Sequence, residues 1–174
     1  MRFEDLPAAT RDYYLTAADL VLAKCNAHDP WFPKPSDAIA EAWAETFARS
    51  RLTREDLLAG VARAYSLAGD NGYRPLAGSI VTHAKAAYAE ALAALPPDQR
   101  ERMVELIEIL QDMGIAPPDA HRYARRVALR RRPPFELTDT QRTELTRRIT
   151  ERKALAAAPR RALPGALGRM FRPA

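Results

Sequence analysis

Residues 53–84 hold two helix-forming segments separated by a short loop, and no other stretch constrains the fold as strongly. Thr53 is followed three residues later by Asp56, the spacing of a capping box with the shorter acid in place of glutamate. Apolar residues then recur at helical spacing, so one face of each helix must be covered by other elements. These apolar positions are Leu57, Leu58, Val61, Tyr65, Ile80, Ala84 and Tyr88. The stretch therefore predicts two packed helices.

The loop between these helices combines turn residues with two side chains suited to binding. Glycine and asparagine in the sequence Gly-Asp-Asn-Gly at 69–72 tolerate positive φ and favour a helix stop. Tyr73 and Arg74 follow, immediately before a proline. An aromatic ring and an arginine on a rigid turn are enriched at interface hot spots, so Tyr73 and Arg74 are candidate partner-binding residues. The alternative is that Tyr73 folds back on the helix pair while Arg74 is solvated.

Two further helices are expected before residue 53. The first covers 12–27, and a proline-rich turn at 29–35 follows it. Large aromatics beside proline turns usually plug a core, so Trp31 and Phe32 are predicted to seal the end of the helices, with partner binding as the alternative. Ser36 or Asp37 caps the second helix, in which Trp43 is predicted to be mostly buried.

The composition supports an all-α fold. The chain is 47% hydrophobic and 28% charged, with many alanines, leucines and arginines, a mixture that favours helices. No segment approaches the roughly 20 apolar residues of a membrane span, so no membrane partner and a cytoplasmic location are expected, in a bacterial host if the chain is of phage origin. The single cysteine, Cys25, excludes an internal disulfide and is expected to be a small, semi-buried helix residue.

Charge is distributed unevenly along the 174 residues. Residues 1–120 contain 12 Lys and Arg against 18 Asp and Glu, a net charge of −6, whereas residues 121–174 contain 15 against 4, a net charge of +11, which together give +5. An acidic front suits a protein partner with basic patches. An arginine-rich back suits a phosphate backbone or an acidic protein groove.

Two helices are expected at 98–132, one with an apolar face and one with a basic face. The first has an apolar face and stops at Gly114. The second begins at Asp119 and carries the candidate nucleic-acid-binding residues Arg122, Arg125, Arg126 and Arg130. The order resembles a helix-turn-helix, although Pro117 and Pro118 are expected to lengthen the turn. Because the second helix has no Asn, Gln or Ser to read base edges, its arginines favour phosphate contacts. The alternative is a solvated arginine face.

The last predicted helix opens with a capping box at Thr138 and Gln141. Its apolar stripe is narrow, so the helix either packs weakly or binds a partner through Leu145 and Ile149. Residues 156–174 are expected to form a flexible basic tail, in which Met170 and Phe171 are candidate anchors for folding coupled to binding.

Nothing in the sequence indicates catalysis, a metal or a cofactor. The three histidines, His28, His83 and His121, lie on different elements, and no His, Cys, Asp or Glu spacing is typical of a metal site. Glu101, Glu105, Glu108 and Asp112 fall on one helix face and are most simply solvated. The chain contains no phosphate-binding Gly-x-x-x-x-Gly-Lys-Ser/Thr loop. A non-enzymatic protein without a cofactor or a metal is therefore expected.

The order of motifs over about residues 15–90 is similar to one known family. The motifs are a first helix, a proline-rich aromatic turn, a tryptophan in the second helix, an aromatic ending the third and an aromatic-basic-proline loop before the fourth. This order resembles the N-terminal helical domain of phage replicative-helicase loader/inhibitor proteins. The resemblance implies an adaptor that binds a DnaB-type helicase and keeps it off DNA or guides it onto DNA.

These observations predict an all-α protein in three parts: an N-terminal four-helix bundle at 1–95, a smaller arginine-rich helical region at 96–155 and a flexible tail at 156–174. The predicted function is a non-enzymatic DNA-replication adaptor whose segment 137–171 contacts the helicase. One alternative is a helix-turn-helix-like DNA-binding regulator that uses the basic helix at 119–132. A second alternative is a structural or scaffold protein with no nucleic-acid role.

Overall fold

The computed structural model describes residues 2–68 and 74–157, and within these ranges all regular structure is helical. A 3-10 turn at Phe3–Asp5 precedes seven α-helices among the described residues. They are α1 (Ala8–His28), α2 (Asp37–Ser50), α3 (Arg54–Ala68), α4 (Ala77–Ala93), α5 (Pro97–Asp112), α6 (Pro117–Ala128) and α7 (Asp139–Ala157). The all-α prediction is confirmed for this part of the chain. None of the described helices combines the length and apolar character needed to cross a bilayer.

The chain divides between Leu95 and Pro96 into two compact units. In the first unit, α1 packs against α2 and α3, while α4 packs against α2 and α3. Their apolar faces meet in one core because each helix repeats apolar residues every three to four positions. The fully buried side chains at its centre are Val21, Leu22, Phe47, Leu57, Val61 and Ile80.

One aromatic prediction needs correction in this unit. Trp43 packs against the core as predicted, at its edge, and its ring lies edge-on to Phe32 and Phe47 at centroid distances of 6.0 and 5.8 Å. Phe47 takes the central position. Phe32 is 6% exposed and seals the core, as predicted, but Trp31 is 81% exposed and does not. Neighbouring side chains of a tight turn point in different directions, so only one of the two rings reaches the core.

The helices α3 and α4 approach each other closely at Gly60. A Cβ atom at this position would lie 2.6 Å from the carbonyl oxygen of Ile80 and 2.8 Å from the Cβ of Ala84. Both distances are shorter than real Cβ contacts, so a side chain at Gly60 would push the two helices apart. Glycine is less favourable than alanine inside a helix by about 1 kcal/mol, and the close approach explains its presence here.

Two helix starts follow their predicted capping boxes. The Asp56 carboxylate accepts hydrogen bonds from the Thr53 amide at 3.2 Å and the Thr53 hydroxyl at 2.7 Å, and the Asp56 amide donates to that hydroxyl at 3.4 Å. At α7, the Thr138 amide donates to the Gln141 side chain at 3.0 Å and the Gln141 amide donates to the Thr138 hydroxyl at 3.2 Å. Both predictions are confirmed.

In the second unit, the turn between α5 and α6 is shorter than predicted. Gly114 adopts a φ of 81°, and the Ile115 amide donates to the Leu110 carbonyl at 3.0 Å, which closes α5 with a Schellman motif. Pro117 and Pro118 do not lengthen the turn. They occupy the first two positions of α6. Backbone N–H groups in the first turn of a helix have no carbonyl partner within the helix, so the lack of an N–H in proline costs no hydrogen bond there.

The same motif closes α6 with an arginine in place of glycine. Arg130 has a φ of 55°, the Arg130 amide donates to the Val127 carbonyl at 2.9 Å, and the Arg131 amide donates to the Arg126 carbonyl at 2.8 Å. The left-handed conformation costs a residue with a side chain roughly 1–2 kcal/mol. After this reversal the chain returns to place Leu137 in a small core with Leu110 and Ala120.

Candidate functional site

The first candidate site is the arginine face of α6, and the structure separates its four predicted members. Arg126 is 4% exposed, and its Nε donates to the carbonyl oxygen of Arg132 at 2.5 Å. This guanidinium supports the chain reversal after α6, so the prediction that Arg126 contacts phosphate does not fit its burial. Arg122 is partly buried and engaged within the protein. Arg125 and Arg130 are exposed.

The helix-turn-helix interpretation depends on the N-terminal end of α6. Recognition helices of this class contact base edges with their N-terminal residues. In α6 these positions hold Pro117, Pro118 and Asp119, all exposed. Two prolines offer no side-chain donor and a carboxylate repels phosphate, whereas Arg125 and Arg130 lie in the last turn and beyond it. The arrangement favours contacts to a phosphate backbone over base readout.

The helix α7 is attached to α5 by ion pairs. Arg152 reaches Glu108 at 2.9 Å and Asp112 at 3.6 Å, and Arg148 lies 4.0 Å from Asp112. On the acidic face of α5, Glu108 and Asp112 are solvent-exposed, as expected, and in addition pair with arginines of α7. Sequence reasoning assigned no role to Arg148 and Arg152, although their four-residue spacing places both on one helix face.

The apolar residues of α7 are also used within the second unit. Leu145 packs against the small core that contains Leu110 and Leu137. Ile149 is partly buried and lines a cavity. Leu155 is 76% exposed. The predicted partner anchors Leu145 and Ile149 therefore do not form a free stripe on the helix surface, because Leu145 packs in the small core and Ile149 faces the cavity.

Within α7, Glu144 is the centre of a charge network. Its carboxylate accepts hydrogen bonds from Arg147 and Arg148 at 2.6 Å. These two guanidinium groups lower the pKa of Glu144 to about 2. Arg147 also pairs with Glu151. The network stabilises the ionised form of Glu144, and it also stabilises α7, because these charges meet only when the segment is helical.

A cavity of about 320 Å³ opens between α5, α6 and α7. Its floor is apolar and includes Met103, Leu106, Ile109 and Ile149. The charged residues around it are Arg102, Glu105, Arg130 and Lys153. Sequence analysis missed this cavity because it depends on the angle between three helices, and periodicity does not report that angle.

The second candidate site lies where the turn after α1 meets the start of α4 in the first unit. The Arg74 Nε donates to Asp29 Oδ2 at 2.8 Å, and Asp29 Oδ1 accepts from the Trp31 amide at 2.9 Å. The hydrogen bond from Arg74 lowers the pKa of Asp29. Arg74 is therefore neither a simple solvated side chain nor a free binding residue. It fixes the turn that presents Trp31.

Two exposed apolar side chains flank this ion pair. Trp31 is 81% exposed and Leu76 is 74% exposed. Pro75, between Arg74 and Leu76, is fully buried and anchors the backbone of this segment. We call Trp31, Leu76 and the Asp29–Arg74 pair the Trp31 surface. Leu76 was missed as a surface residue because its periodicity matches the buried face of α4, whereas it occupies the extended position before the helix.

Behind the Trp31 surface, the end of α1 is braced by Tyr65. The Tyr65 ring stacks on His28 at a centroid distance of 4.7 Å, and its hydroxyl donates to the Cys25 carbonyl at 3.3 Å. Burial raises the pKa of the Cys25 thiol to about 11, so this cysteine is a poor nucleophile. No group of three or more potential metal ligands occurs in residues 2–68 and 74–157.

Three predicted partner-binding residues lie outside the described residues. They are Tyr73, in the loop before α4, and Met170 and Phe171, near the end of the chain. Most of the predicted flexible tail at 156–174 also lies outside the described residues, and its described part, 156–157, belongs to α7.

Comparison with protein-family models, with curated proteins and with solved structures finds no match to this chain.

Proposed function

We propose that this protein is a non-enzymatic adaptor in DNA replication that binds a DnaB-type replicative helicase, the function that the resemblance of residues 15–90 implies. The observation that carries the proposal is the Trp31 surface. A tryptophan that is 81% exposed on a turn fixed by an ion pair is the residue type and setting expected of an interface hot spot.

The proposal moves the helicase contact from the segment 137–171 to the first unit. In α7, Leu145 packs in the small core and is not available as an anchor, while Ile149 is partly buried and faces the cavity of the second unit and not a free helix face. Trp31 and Leu76 are not buried in a core within the described residues of the first unit. A preformed surface also binds with less ordering cost than a segment that must fold on its target.

The test is co-sedimentation of the full chain with the purified DnaB-type helicase of the organism that encodes it. Trp31→Ala is expected to weaken binding by about 30-fold, the effect of losing a hot spot of about 2 kcal/mol. Leu155→Ala is the matched control, because Leu155 is an equally exposed apolar residue at 76% in the other unit. Equal binding by both variants would place the contact elsewhere, and no binding by the unchanged chain would remove the helicase proposal.

A second candidate function is contact with a DNA backbone by the second unit. The observation that favours it is that Arg125 and Arg130 are exposed and form no ion pair within the described residues. Each phosphate contact contributes about 0.9 to the slope of log affinity against log salt concentration. Arg125→Gln and Arg130→Gln are each expected to reduce that slope by about 0.9 with duplex DNA. A slope that neither substitution changes would exclude this face.

A further inference from the structure

The apolar lining of the cavity between α5, α6 and α7 has no part in either proposed function, although Arg130 at the cavity is also a candidate phosphate contact. Its volume of about 320 Å³ lies at the lower end of the range for ligand-binding pockets, about 300–1,000 Å³. The floor is formed by Met103, Leu106, Ile109 and Ile149, and Val127, which is 40% exposed, extends the apolar surface at its edge. Such a space accommodates one or two large apolar side chains.

The charged residues around the cavity carry a positive balance. Three of the four, Arg102, Arg130 and Lys153, are cations, and Glu105 is the exception. Arg102 reaches only Asp98, at 3.6 Å, while Arg130 and Lys153 form no ion pair within the described residues. Arg102 lies on α5, Arg130 lies just beyond the end of α6 and Lys153 lies on α7, so the cations come from three different segments of the cavity lining. A chain with several carboxylates can pair with more than one of them.

We propose that this cavity is a docking site for an acidic peptide segment of a partner protein. A leucine or phenylalanine of the peptide fills the apolar floor, and neighbouring carboxylates pair with Arg130 and Lys153. The positive charges favour an acidic partner. The apolar floor favours a peptide over a nucleic acid, because phosphates make no favourable contact with Leu106 and Ile109. The site is separate from the Trp31 surface and does not depend on the helicase proposal.

The test uses the full chain and a fluorescein-labelled peptide of four aspartates followed by leucine and phenylalanine, with binding measured by fluorescence anisotropy. A control peptide replaces the last two residues with glycine. We expect the control peptide to bind at least about tenfold more weakly, because it lacks the anchors for the floor. Equal binding of the two peptides, or no binding of the first, overturns the proposal.

Matched variants locate the site. Val127→Asp and Lys153→Glu are each expected to weaken peptide binding by about tenfold or more, through repulsion of the peptide carboxylates. Val104→Asp, at a 51% exposed valine of α5 outside the cavity, and Lys85→Glu, in the first unit, are the controls. Should Val127→Asp fail to fold by circular dichroism, Lys153→Glu decides. Losses as large in the controls overturn the assignment.

A further control separates peptide docking from DNA binding. Arg125 is exposed but does not line the cavity. Arg125→Gln is therefore expected to leave peptide affinity unchanged within about twofold. A loss of tenfold or more in this variant would show that the peptide binds the arginine face of α6 and would overturn the cavity as its site.

Discussion

The first unit is built around an apolar core, whereas the second combines a smaller core with many charges. Four helices in the first unit enclose Leu22, Phe47, Leu57 and Ile80, all fully buried. In the second, the cluster around Leu110 is small, and ion pairs connect α7 to α5. Apolar burial responds weakly to moderate concentrations of a simple salt, while exposed ion pairs weaken as the ionic strength rises. Ionic strength should therefore affect the second unit more than the first.

This difference also bears on binding. A unit with a closed apolar core can hold a tryptophan outside it at little cost, because the core does not need that ring. The second unit instead has exposed cations beside a cavity with apolar lining. We therefore expect the first unit to bind through an aromatic contact and the second through charge-dependent contacts.

The largest expected effect is the loss of the central ring of the first unit. Phe47→Ala removes a fully buried side chain and should lower the free energy of unfolding by about 3–5 kcal/mol. Both tryptophans of the chain, Trp31 and Trp43, lie in this unit, so urea unfolding followed by tryptophan fluorescence reports on it. Leu20→Ala, at a 40% exposed position of α1, should cost less than about 1 kcal/mol. Comparable costs would contradict the assigned core.

The next effect concerns the close approach of α3 and α4. Gly60→Ala is expected to destabilise the first unit by about 1–3 kcal/mol, because the new methyl group would overlap the Ile80 carbonyl. Gly78→Ala is a control of opposite sign. Nothing lies within 4 Å of its added Cβ, so it should stabilise α4 by about 0.5–1 kcal/mol. The same fluorescence measurement applies, and a neutral Gly60→Ala would show that the helices are not so close.

Backbone conformation gives a smaller effect in the second unit. Arg130→Gly removes the cost of a left-handed residue with a side chain and should stabilise the end of α6 by roughly 1 kcal/mol. Gly114→Ala, at the equivalent position after α5, should destabilise by a similar amount. Hydrogen exchange of the α5 and α6 amides measures both changes. Exchange that is equally slow or faster in Arg130→Gly would contradict this account of the α6 terminus.

The smallest effect concerns the charges of α7. The folded-state pKa of Glu144, about 2, lies below its ordinary value of 4.5, so its stabilising contribution is present above that value. It is lost as the pH falls from 4.5 towards about 2. The protection factors of α7 amides, which correct hydrogen exchange for its intrinsic pH dependence, should fall over this interval, and Glu144→Gln should weaken that dependence. An unchanged profile in that variant would assign the acid sensitivity to other carboxylates.

Local spacing was sufficient to predict the starts of α3 and α7, whereas α1 and α6 begin earlier than predicted, at Ala8 and Pro117. The caps at Thr53 and Thr138 depend on residues three positions apart, and a short sequence window contains all that they require. The all-α fold followed from the periodicity and composition in the same way. The close approach at Gly60 was not foreseen, since it depends on which helix lies opposite, and nothing in α3 alone carries that information.

The candidate sites were harder to predict because their residues are assembled by chain reversals. Arg126 belongs to the basic face by periodicity, yet the reversal after α6 brings the Arg132 carbonyl within reach of its guanidinium and buries it. Trp31 and Phe32 are neighbours in sequence, but only the turn geometry decides which ring enters the core. Asp29 and Arg74 are distant in sequence, and their ion pair appears only after α1 and α4 are packed.

We propose that the helicase contact lies on the Trp31 surface of the first unit, while α7 is engaged within the second unit. Hydrogen–deuterium exchange of the full chain, with and without the DnaB-type helicase, tests this proposal most directly because it reports on both units in one experiment. We expect slower exchange in the helicase complex for the turn at 29–34 and the start of α4, with α7 unchanged. Protection confined to α7, with none around Trp31 and Leu76, would contradict it.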